Sequence, residues 1–339
     1  MAPTSCLRLP GVIHHDWSLV RHRPQGYPRA AIELRRLVRT TEPDVVHLHS
    51  FFAGLCGRVL GGVPARPRVP IVYQPHAWST HRFNRVALVR SVELVERAGA
   101  RRTDMLLGIC QDELVRGAAF GVERPGRVVG IAVDLGQVGA ITDLSERRLR
   151  REAMGLGEDR LLLVLGRLAH QKGQDLLVRA WEQHHLPGTR LALVGPGDSS
   201  FLAALAPTQW RRTVHAYGPA DDVREWLQAA DVLLLPSRYE SVGYAVAEAM
   251  AAGLPVVATA VDGVREAVAG GPLPAAGAVV GVGDMAGLLA EAGARLTDDD
   301  RWTRESRAAR QRAELMFEAQ SLAARVEAGY RGAKQMISE

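Results

Sequence analysis

Residues 230–259 read ADVLLLPSRYESVGYAVAEAMAAGLPVVAT, and this stretch decides the fold. The run VLLLP is short, apolar and ended by proline, which is typical of a buried parallel strand. Residues 244–252 place small and apolar side chains at helical spacing, Gly253 ends the helix, and LPVVAT begins another strand. The stretch therefore predicts a right-handed strand–helix–strand unit, with residues 237–243 as the loop at the carboxyl end of the first strand.

Two glutamates, Glu240 and Glu248, fall on this unit, the first in the loop and the second inside the helix. Ligands of open parallel sheets bind outside the carboxyl ends of the strands, so both glutamates lie where a site is expected. Their separation along a loop and helix argues against a glycosidase-type pair acting on one bond. We expect them to contact different parts of one long ligand. The structural alternative is a loop carboxylate bound to backbone amides and a helix carboxylate paired with an arginine.

A second candidate site contains one of the chain's rare lysines. Of the 42 lysine and arginine residues, only Lys172 and Lys334 are lysines. Arg167 and Lys172 follow the apolar run LLLVLG and precede a helix that begins near Gln174. Free N–H groups at a helix start favour an anion, and an ammonium group is a compact point charge for a phosphate oxygen. The pair predicts a diphosphate site, with an ordinary basic loop as the structural alternative.

Together, Glu240-x7-Glu248 and the following Glu-Ala-Met-Ala-x-Gly-x-Pro-Val-Val-Ala resemble the donor-site signature of retaining glycosyltransferases with the GT-B fold. The resemblance is to the family-4 type, also described as glycosyl transferases group 1, and covers most of residues 161–290. It implies an α/β fold of two Rossmann-like parallel-sheet domains. Further matching motifs are Gly166-Arg167-Leu168 with Lys172-Gly173, LALVGPGD at 191–198, DGVREAV at 262–268 and, more weakly, PDVVHLHS at 43–50 and VYQPHAWS at 72–79.

The resemblance assigns a role to each candidate residue. It implies that Arg167 and Lys172 hold the donor diphosphate, that Glu240 hydrogen-bonds hydroxyls of the donor sugar, and that Glu248 binds the ribose hydroxyls. His76 would face the donor sugar as a catalytic residue beside Glu240, although a hydrogen-bonded structural histidine is the alternative. The remaining implied donor-binding residues are Gly195, Ser241, Val242 and Gly243. Val242 departs from the family, which usually has phenylalanine there, and we expect a slightly looser sugar pocket.

The implied activity is a metal-independent, retaining transfer of a sugar from a nucleotide-sugar donor to a hydroxyl acceptor. The sequence leaves open whether that acceptor is a glycan, a lipid or a small molecule, and neither cofactor nor metal is expected. His47 and His49 project to one side of a predicted strand, but no third ligand follows at a suitable spacing. We therefore place His49 near the cleft. Asp298-Asp299-Asp300 lies between two helical patterns, and we interpret it as a helix cap.

Strand-like runs divide the chain into an acceptor-side domain at 1–140, a donor-binding domain at 141–315 and a carboxyl-terminal helix at 316–339 that returns toward the first domain. Residues 1–27 show neither a strand nor the Gly-rich turn that the resembling family normally has there. The first domain is therefore expected to be incomplete, through either a misassigned start or a shortened protein. The alternative function is a truncated, inactive relic that binds a donor or a partner.

Composition narrows the classes of protein. A chain of 339 residues with 47% hydrophobic residues can build two cores, and three cysteines are too few for a disulfide framework. Apolar runs such as LLLVL fall far short of the ~20 residues of a bilayer-spanning helix, so we predict a cytoplasmic protein. The net charge of +5 comes without basic runs interleaved with aromatics, which argues against nucleic acid. Clustered arginines at 34–39 and 147–151 indicate a weak attraction to the inner membrane face, or simply solvated helices.

Overall fold

The structure is a computed structural model that describes residues 11–17, 24–66, 68–82 and 85–338. Its first sheet has four parallel strands in the order β1-β2-β3-β4. These strands are β1 (Val46–His49), β2 (Ile71–Gln74), β3 (Met105–Gly108) and β4 (Gly126–Val128). β2 and β3 are buried along their whole length, as is typical of short apolar segments that form the inner strands of a parallel sheet.

The second sheet is larger, with six parallel strands in the order β10-β9-β8-β5-β6-β7. This order sets β5 between β8 and β6, so the chain reverses direction across the sheet at β5. Crevices at such switch points are the usual ligand sites of open α/β sheets. The strands are β5 (Arg160–Leu165), β6 (Thr189–Val194), β7 (Val214–Gly218), β8 (Val232–Leu235), β9 (Val256–Thr259) and β10 (Gly277–Val280). The predicted fold class, two Rossmann-like parallel-sheet domains, is confirmed.

Helices cover both sheets. In chain order they are α1 (Tyr27–Thr41), α2 (Ser50–Gly54), α3 (Val86–Ala100), α4 (Gln111–Ala119), α5 (Leu135–Val138), α6 (Leu144–Ala153), α7 (Gln174–His184), α8 (Ser200–Ala203), α9 (Val223–Ala229), α10 (Tyr244–Ala251), α11 (Val264–Ala269), α12 (Met285–Thr297), α13 (Asp299–Met316) and α14 (Ala319–Ser338). The helix cap predicted at the aspartate run is confirmed, because the Arg301 N–H donates to Asp298 Oδ1 at 2.8 Å. No helix in the described ranges is long and apolar enough to cross a membrane.

The last helix belongs to the core of the first sheet. Leu322, Val326 and Tyr330 of α14 pack beside Val72 of β2 and Leu107 of β3. The preceding helix, α13, instead buries its apolar face on α10 of the second unit. The chain thus crosses back to its first half between α13 and α14, while the predicted boundaries at 140/141 and 315/316 stay predictions.

The predicted incompleteness of the first domain falls mostly on residues outside the described ranges. Residues 11–17 are described and contain no strand, whereas residues 1–10 and 18–23 lie outside the description. Whether a strand and a Gly-rich turn are missing there therefore stays a prediction.

A buried arginine stabilises the second domain through hydrogen bonds to backbone carbonyls. The Arg147 side chain on α6 is fully buried and donates to the carbonyl oxygens of Leu227 and Ala230 at 2.6 and 2.9 Å. Its other terminal nitrogen donates to those of Ile141 and Ala252 at 2.6 and 2.7 Å. These carbonyls lie at the ends of α9 and α10 or in the segment before α6, so one guanidinium joins three segments.

This burial corrects one prediction. The cluster at 147–151 cannot supply the expected cationic surface through Arg147 and Arg151, because their exposures are only 0% and 2%. Arg151 instead pairs with the buried Asp231 at 3.1 Å. Attraction to a membrane face stays a prediction that rests on the arginines of α1 and on the exposed Arg148 and Arg150 of α6.

Replacing Arg147 with methionine should lower the free energy of unfolding by about 3 kcal/mol or more, since several buried carbonyls lose their donors. Urea denaturation measures the change. Arg148→Met is the matched control, because the Arg148 side chain is 58% exposed and pairs with Glu152 one turn away. Equal stability of the two variants would show that the Arg147 contacts contribute little.

Candidate active site

A cleft of about 560 Å³ lies at the carboxyl ends of β5, β6 and β8. The first domain contributes His76, Ile109 and Ile131 to its walls, so the two halves of the chain share the cleft. Of the sequence-predicted site residues, those that line it are His76, Arg167, Lys172, Gly195, Ser241, Gly243, Glu240 and Glu248. Residues far apart in sequence thus meet because parallel strands deliver their loops to one edge.

Val242 is the exception among the predicted residues. Its side chain is 4% exposed and does not line the cleft. It packs instead toward Cys110 of the first domain and the loop at Gly263, around a smaller cavity. Valine at this position therefore affects the packing behind the cleft rather than its wall, and the expected looser sugar pocket stays a prediction.

A short ion pair lies among the residues that line the cleft. Lys172 Nζ is 2.5 Å from Glu240 Oε1, and the two side chains are only 17% and 9% exposed. The Ser237 hydroxyl donates to the same carboxylate oxygen at 3.4 Å. The predicted phosphate cation and the predicted sugar carboxylate are therefore direct neighbours, as one continuous ligand would require.

Two glycines allow loops of the cleft to approach one another, Gly173 between the loops after β5 and β8 and Gly195 between the loops after β6 and β5. Gly173 has φ of 69°, and a methyl group there would lie 2.0 Å from the Pro236 carbonyl oxygen. Gly195 has φ of 148°, and its methyl would lie 2.2 Å from the Gly166 carbonyl oxygen. Because both contacts are with backbone, a larger residue would push the loops apart.

Arg238, which sequence reasoning missed, ties the two loops together. Its guanidinium bonds both carboxylate oxygens of Asp175 at 2.7 Å and donates to the His170 carbonyl at 2.7 Å. Its backbone N–H donates to the Gln171 carbonyl at 2.8 Å. Arg238 precedes Glu240 by two residues and its partners flank Lys172, so this contact fixes the geometry of the ion pair. The signal in the sequence was only its position in the loop.

Glu248 lines the cleft from the inner side of α10. Desolvation by burial raises the pKa of its carboxyl group above the ordinary value. A carboxyl group in such a position is suited to hydrogen-bonding neutral hydroxyls, because solvent competes less for its oxygens.

His76 belongs to a row of aromatic side chains that the sequence only partly indicated. His49 Nδ1 and His76 Nε2 are 2.7 Å apart, so one ring nitrogen carries the proton and the other accepts it. The centroids of the His47 and His49 rings are 3.9 Å apart with the planes tilted by 37°, and His47 Nδ1 lies 2.9 Å from the Tyr330 hydroxyl. The row therefore runs from α14 to the cleft.

The protein environment keeps these histidines neutral at ordinary pH. Desolvation, followed by the proximity of His49, lowers the pKa of His76 to about 4. Desolvation and the two neighbouring histidines lower the pKa of His47 to about 3. A neutral imidazole can both donate and accept a hydrogen bond, which suits a contact with sugar hydroxyls.

A buried carboxylate, Glu113, holds the turn that carries His76. His76 and Ala77 have positive φ values of 54° and 75°, a conformation that is unfavourable for residues with a side chain. Glu113 accepts from the backbone N–H of Ala77 at 2.5 Å and from that of Ile109 at 2.6 Å. Burial raises the pKa of Glu113, and these two hydrogen bonds oppose that rise. No residue pattern in the sequence indicates this role.

Polar contacts also join α4 of the first domain to the segment before α11 in the second. Arg116 forms a two-point pair with Asp262 at 2.5 and 2.7 Å. The Gly263 N–H donates to Asp112 at 2.9 Å. These contacts hold the His76 side of the cleft against the Glu240 side.

Comparison with known proteins agrees with two facing α/β domains of the GT-B type. Residues 159–299 match the family described as Glycosyl transferases group 1, and residues 6–137 match Glycosyltransferase Family 4. A glycogen synthase of Mycobacterium tuberculosis is 31% identical over 320 residues, covering 91% of this chain and 73% of the relative. D-inositol 3-phosphate glycosyltransferase 1 of Catenulispora acidiphila is 30% identical over 305 residues, covering 78% of this chain and 70% of the relative.

A solved structure, Anabaena Alr3699/HepE in complex with UDP-glucose, has a TM-score of 0.73 at 19% identity, covering 94% of this chain and 84% of that one. The architecture is therefore that of GT-B glycosyltransferases. The chain belongs to the family-4, or group 1, glycosyltransferases.

Acidification should destabilise the protein through its neutral histidines. The pKa of His76 is about 4 in the native protein and ~6.5 in an unfolded chain. Between these two pH values the unfolded state therefore binds more protons than the native state. The free energy of unfolding should therefore fall as the pH drops from 7 to 5, and His76→Gln should reduce that fall. Urea titrations at both pH values test this, with the exposed His184→Gln as the control. An unchanged pH dependence in His76→Gln would contradict the assignment.

Proposed function

We propose that the protein transfers a hexosyl group from a nucleoside diphosphate sugar to a hydroxyl acceptor, with retention of anomeric configuration. One observation supports this most strongly: the Lys172–Glu240 pair, inside a cleft that Arg167 and Glu248 also line. This set offers cations for a diphosphate and carboxylates for sugar and ribose hydroxyls, in one connected space. UDP-glucose is the first donor to test, because HepE has been solved with it.

In the proposed reaction, the main chemical task is the departure of the nucleoside diphosphate. Negative charge grows on the β-phosphate oxygen as the bond to the sugar breaks. Lys172 and Arg167 stabilise that charge more strongly in the transition state than in the bound substrate, which accelerates the reaction. They thus take the role that a divalent metal has in other transferases, so we propose that no metal is needed.

The carboxylates of the cleft are matched to binding rather than to nucleophilic attack. Among the described residues that line the cleft, the carboxylates are Glu240, which is ion-paired, and Glu248, which lies on a helix. Retention of the anomeric configuration then follows most simply if the acceptor attacks the face of the sugar from which the nucleoside diphosphate departs. The acceptor oxygen bonds to the anomeric carbon, and the bond between that carbon and the phosphate oxygen breaks. The acceptor proton passes to the leaving phosphate.

Lys172→Ala should weaken UDP binding by about 10- to 100-fold, the usual effect of losing a hydrogen-bonded charge partner. Isothermal titration of the purified full chain with UDP measures it. Lys334→Ala is a matched control, because Lys334 is the only other lysine and pairs with Asp44 on the surface, at 2.8 Å. Equal affinity of the two variants would overturn the diphosphate assignment.

Turnover of UDP-glucose by the same preparation distinguishes an active enzyme from the alternative, an inactive relic that only binds the donor. Release of UDP from UDP-glucose, by transfer or slow hydrolysis, is the expected result. Tight UDP binding with no turnover of any nucleotide sugar would favour an inactive donor-binding protein.

Chelation and product stereochemistry test the two finer parts of the proposal. Excess EDTA should leave the transfer rate unchanged, since the phosphate charge is met by side chains. Proton NMR of the product should show the anomeric configuration of the donor. A transfer rate that requires added Mg²⁺ or Mn²⁺ would refute metal independence. A product of inverted anomeric configuration would refute retention.

A further inference from the structure

We propose that a second cavity, of about 490 Å³, is the acceptor site and that it takes an uncharged carbohydrate. This inference rests on the proposed function and names its acceptor class. The cavity lies at the carboxyl ends of β1 and β2 and shares His76 and Gln171 with the donor cleft. Its size falls in the range of small-molecule sites, ~300–1,000 Å³.

Aromatic rings form much of the wall. Phe51 and Phe52 of α2 line the cavity, with ring centroids 5.4 Å apart and planes at 83°, so they present surfaces in two directions. Tyr239 lines it from the Glu240 loop of the second domain. All three side chains are half-buried, so they are held in place yet still reachable. Flat aromatic surfaces suit sugar rings, because the faces of a pyranose carry C–H groups.

The polar groups of the cavity match hydroxyls rather than charges. His49, Ser50 and Ser79 line it together with His76. The pKa values of His49 and His76 are lowered by desolvation, so both rings are neutral near pH 7. Among the described residues lining this cavity, none carries a full charge at that pH. Neutral imidazoles and hydroxyls both donate and accept hydrogen bonds, as sugar hydroxyls do.

Backbone strain is concentrated around the same cavity. The described non-glycine residues with positive φ are Glu42, Ser50, His76, Ala77 and Arg211. Three of these, Ser50, His76 and Ala77, line the cavity. Such conformations cost on the order of 1–3 kcal/mol each and cluster at binding sites. Glu113 stabilises the turn from behind through the Ala77 N–H, so the fold maintains the strain at this point.

The two cavities meet where transfer would occur. His76 is a wall of both, and the Gln171 amide donates to the Tyr239 carbonyl at 3.2 Å across their junction. An acceptor ring held against the aromatic side chains would direct a hydroxyl past His76 toward a donor sugar near Glu240. The hydroxyl oxygen bonds to the anomeric carbon, the bond from that carbon to the diphosphate oxygen breaks, and the hydroxyl proton passes to the departing diphosphate.

Saturation-transfer NMR on the full chain with saturating UDP tests the ligand class directly. The neutral probes are maltotriose, cellotriose and the methyl glycosides of glucose, galactose and mannose. The charged probes are glucose 1-phosphate, glucuronic acid and inositol 1-phosphate. We expect binding by at least one neutral probe and a weaker or absent signal from the charged ones. Binding by charged probes alone, or by no neutral probe, would overturn the proposal.

The variant Phe51→Leu tests the site with the probe that binds best. Loss of the ring should weaken that probe by about fivefold or more. Phe201→Leu is the matched control, because this exposed phenylalanine lies on α8 and lines neither cavity. Equal probe affinity in both variants would refute the site. A UDP titration on each sample distinguishes failure of the acceptor site from failure of the donor site. If the unaltered chain does not bind UDP, the donor assignment is refuted instead.

Discussion

The contact between Lys172 and Glu240 is the constraint on which the cleft depends. The two residues come from loops that leave β5 and β8, which are hydrogen-bonded neighbours at the middle of the second sheet. Strand order alone brings these loops to one edge, but only Gly173 lets them close to contact distance, because a methyl group there would overlap the Pro236 carbonyl. Arg238 then fixes the arrangement by bonding both flanks of Lys172. The chemistry of the site is thus a consequence of strand order and one small residue.

The abundance of arginine reflects the interior of the second domain as much as its surface. Arg147, Arg295 and Arg312 are almost fully buried. Arg147 and Arg312 donate to backbone carbonyls at the ends of helices, whereas Arg295 pairs with the carboxylate of Glu305. A guanidinium has five donors in a fixed plane and stays charged, whereas a lysine offers a single ammonium that is costly to bury. The same difference explains why a lysine is placed at the cleft, where a compact cation close to one oxygen is needed.

Patterns along the sequence were sufficient for the strands and for the second half of the site. Apolar runs ended by proline or glycine mark parallel strands, and the loops after them must lie at one edge, which brings Arg167, Lys172, Glu240 and Glu248 together. The role of Glu113 could not be predicted, because its two backbone partners are specified by a turn of unusual φ values rather than by a residue pattern.

Burial was predicted less well than position. Arg147 and Arg151 are one helical turn apart and therefore share a face, but spacing alone does not reveal whether that face meets water or carbonyl oxygens. The neighbouring Arg148 points outward with 58% exposure, so arginine is compatible with both environments on one helix. Val242 shows the same limit, since motif position placed it near the donor while its side chain turned toward Cys110.

The candidate active site is divided between two halves of the chain, which polar contacts join beside the cleft. His76 belongs to the first domain and Glu240 to the second, so their spacing depends on the contacts of α4 with the segment before α11. The Arg116–Asp262 pair is partly exposed, at 42% and 16%, and pairs of this kind contribute only about 0–1 kcal/mol. Apolar contacts add to this pair, because Ile109 and Cys110 of the first domain belong to the same buried cluster as Val242 and Val264 of the second. A donor held by Lys172 and an acceptor held near Phe51 would each touch His76, so the proposed transfer depends on these contacts to set the distance between His76 and Glu240.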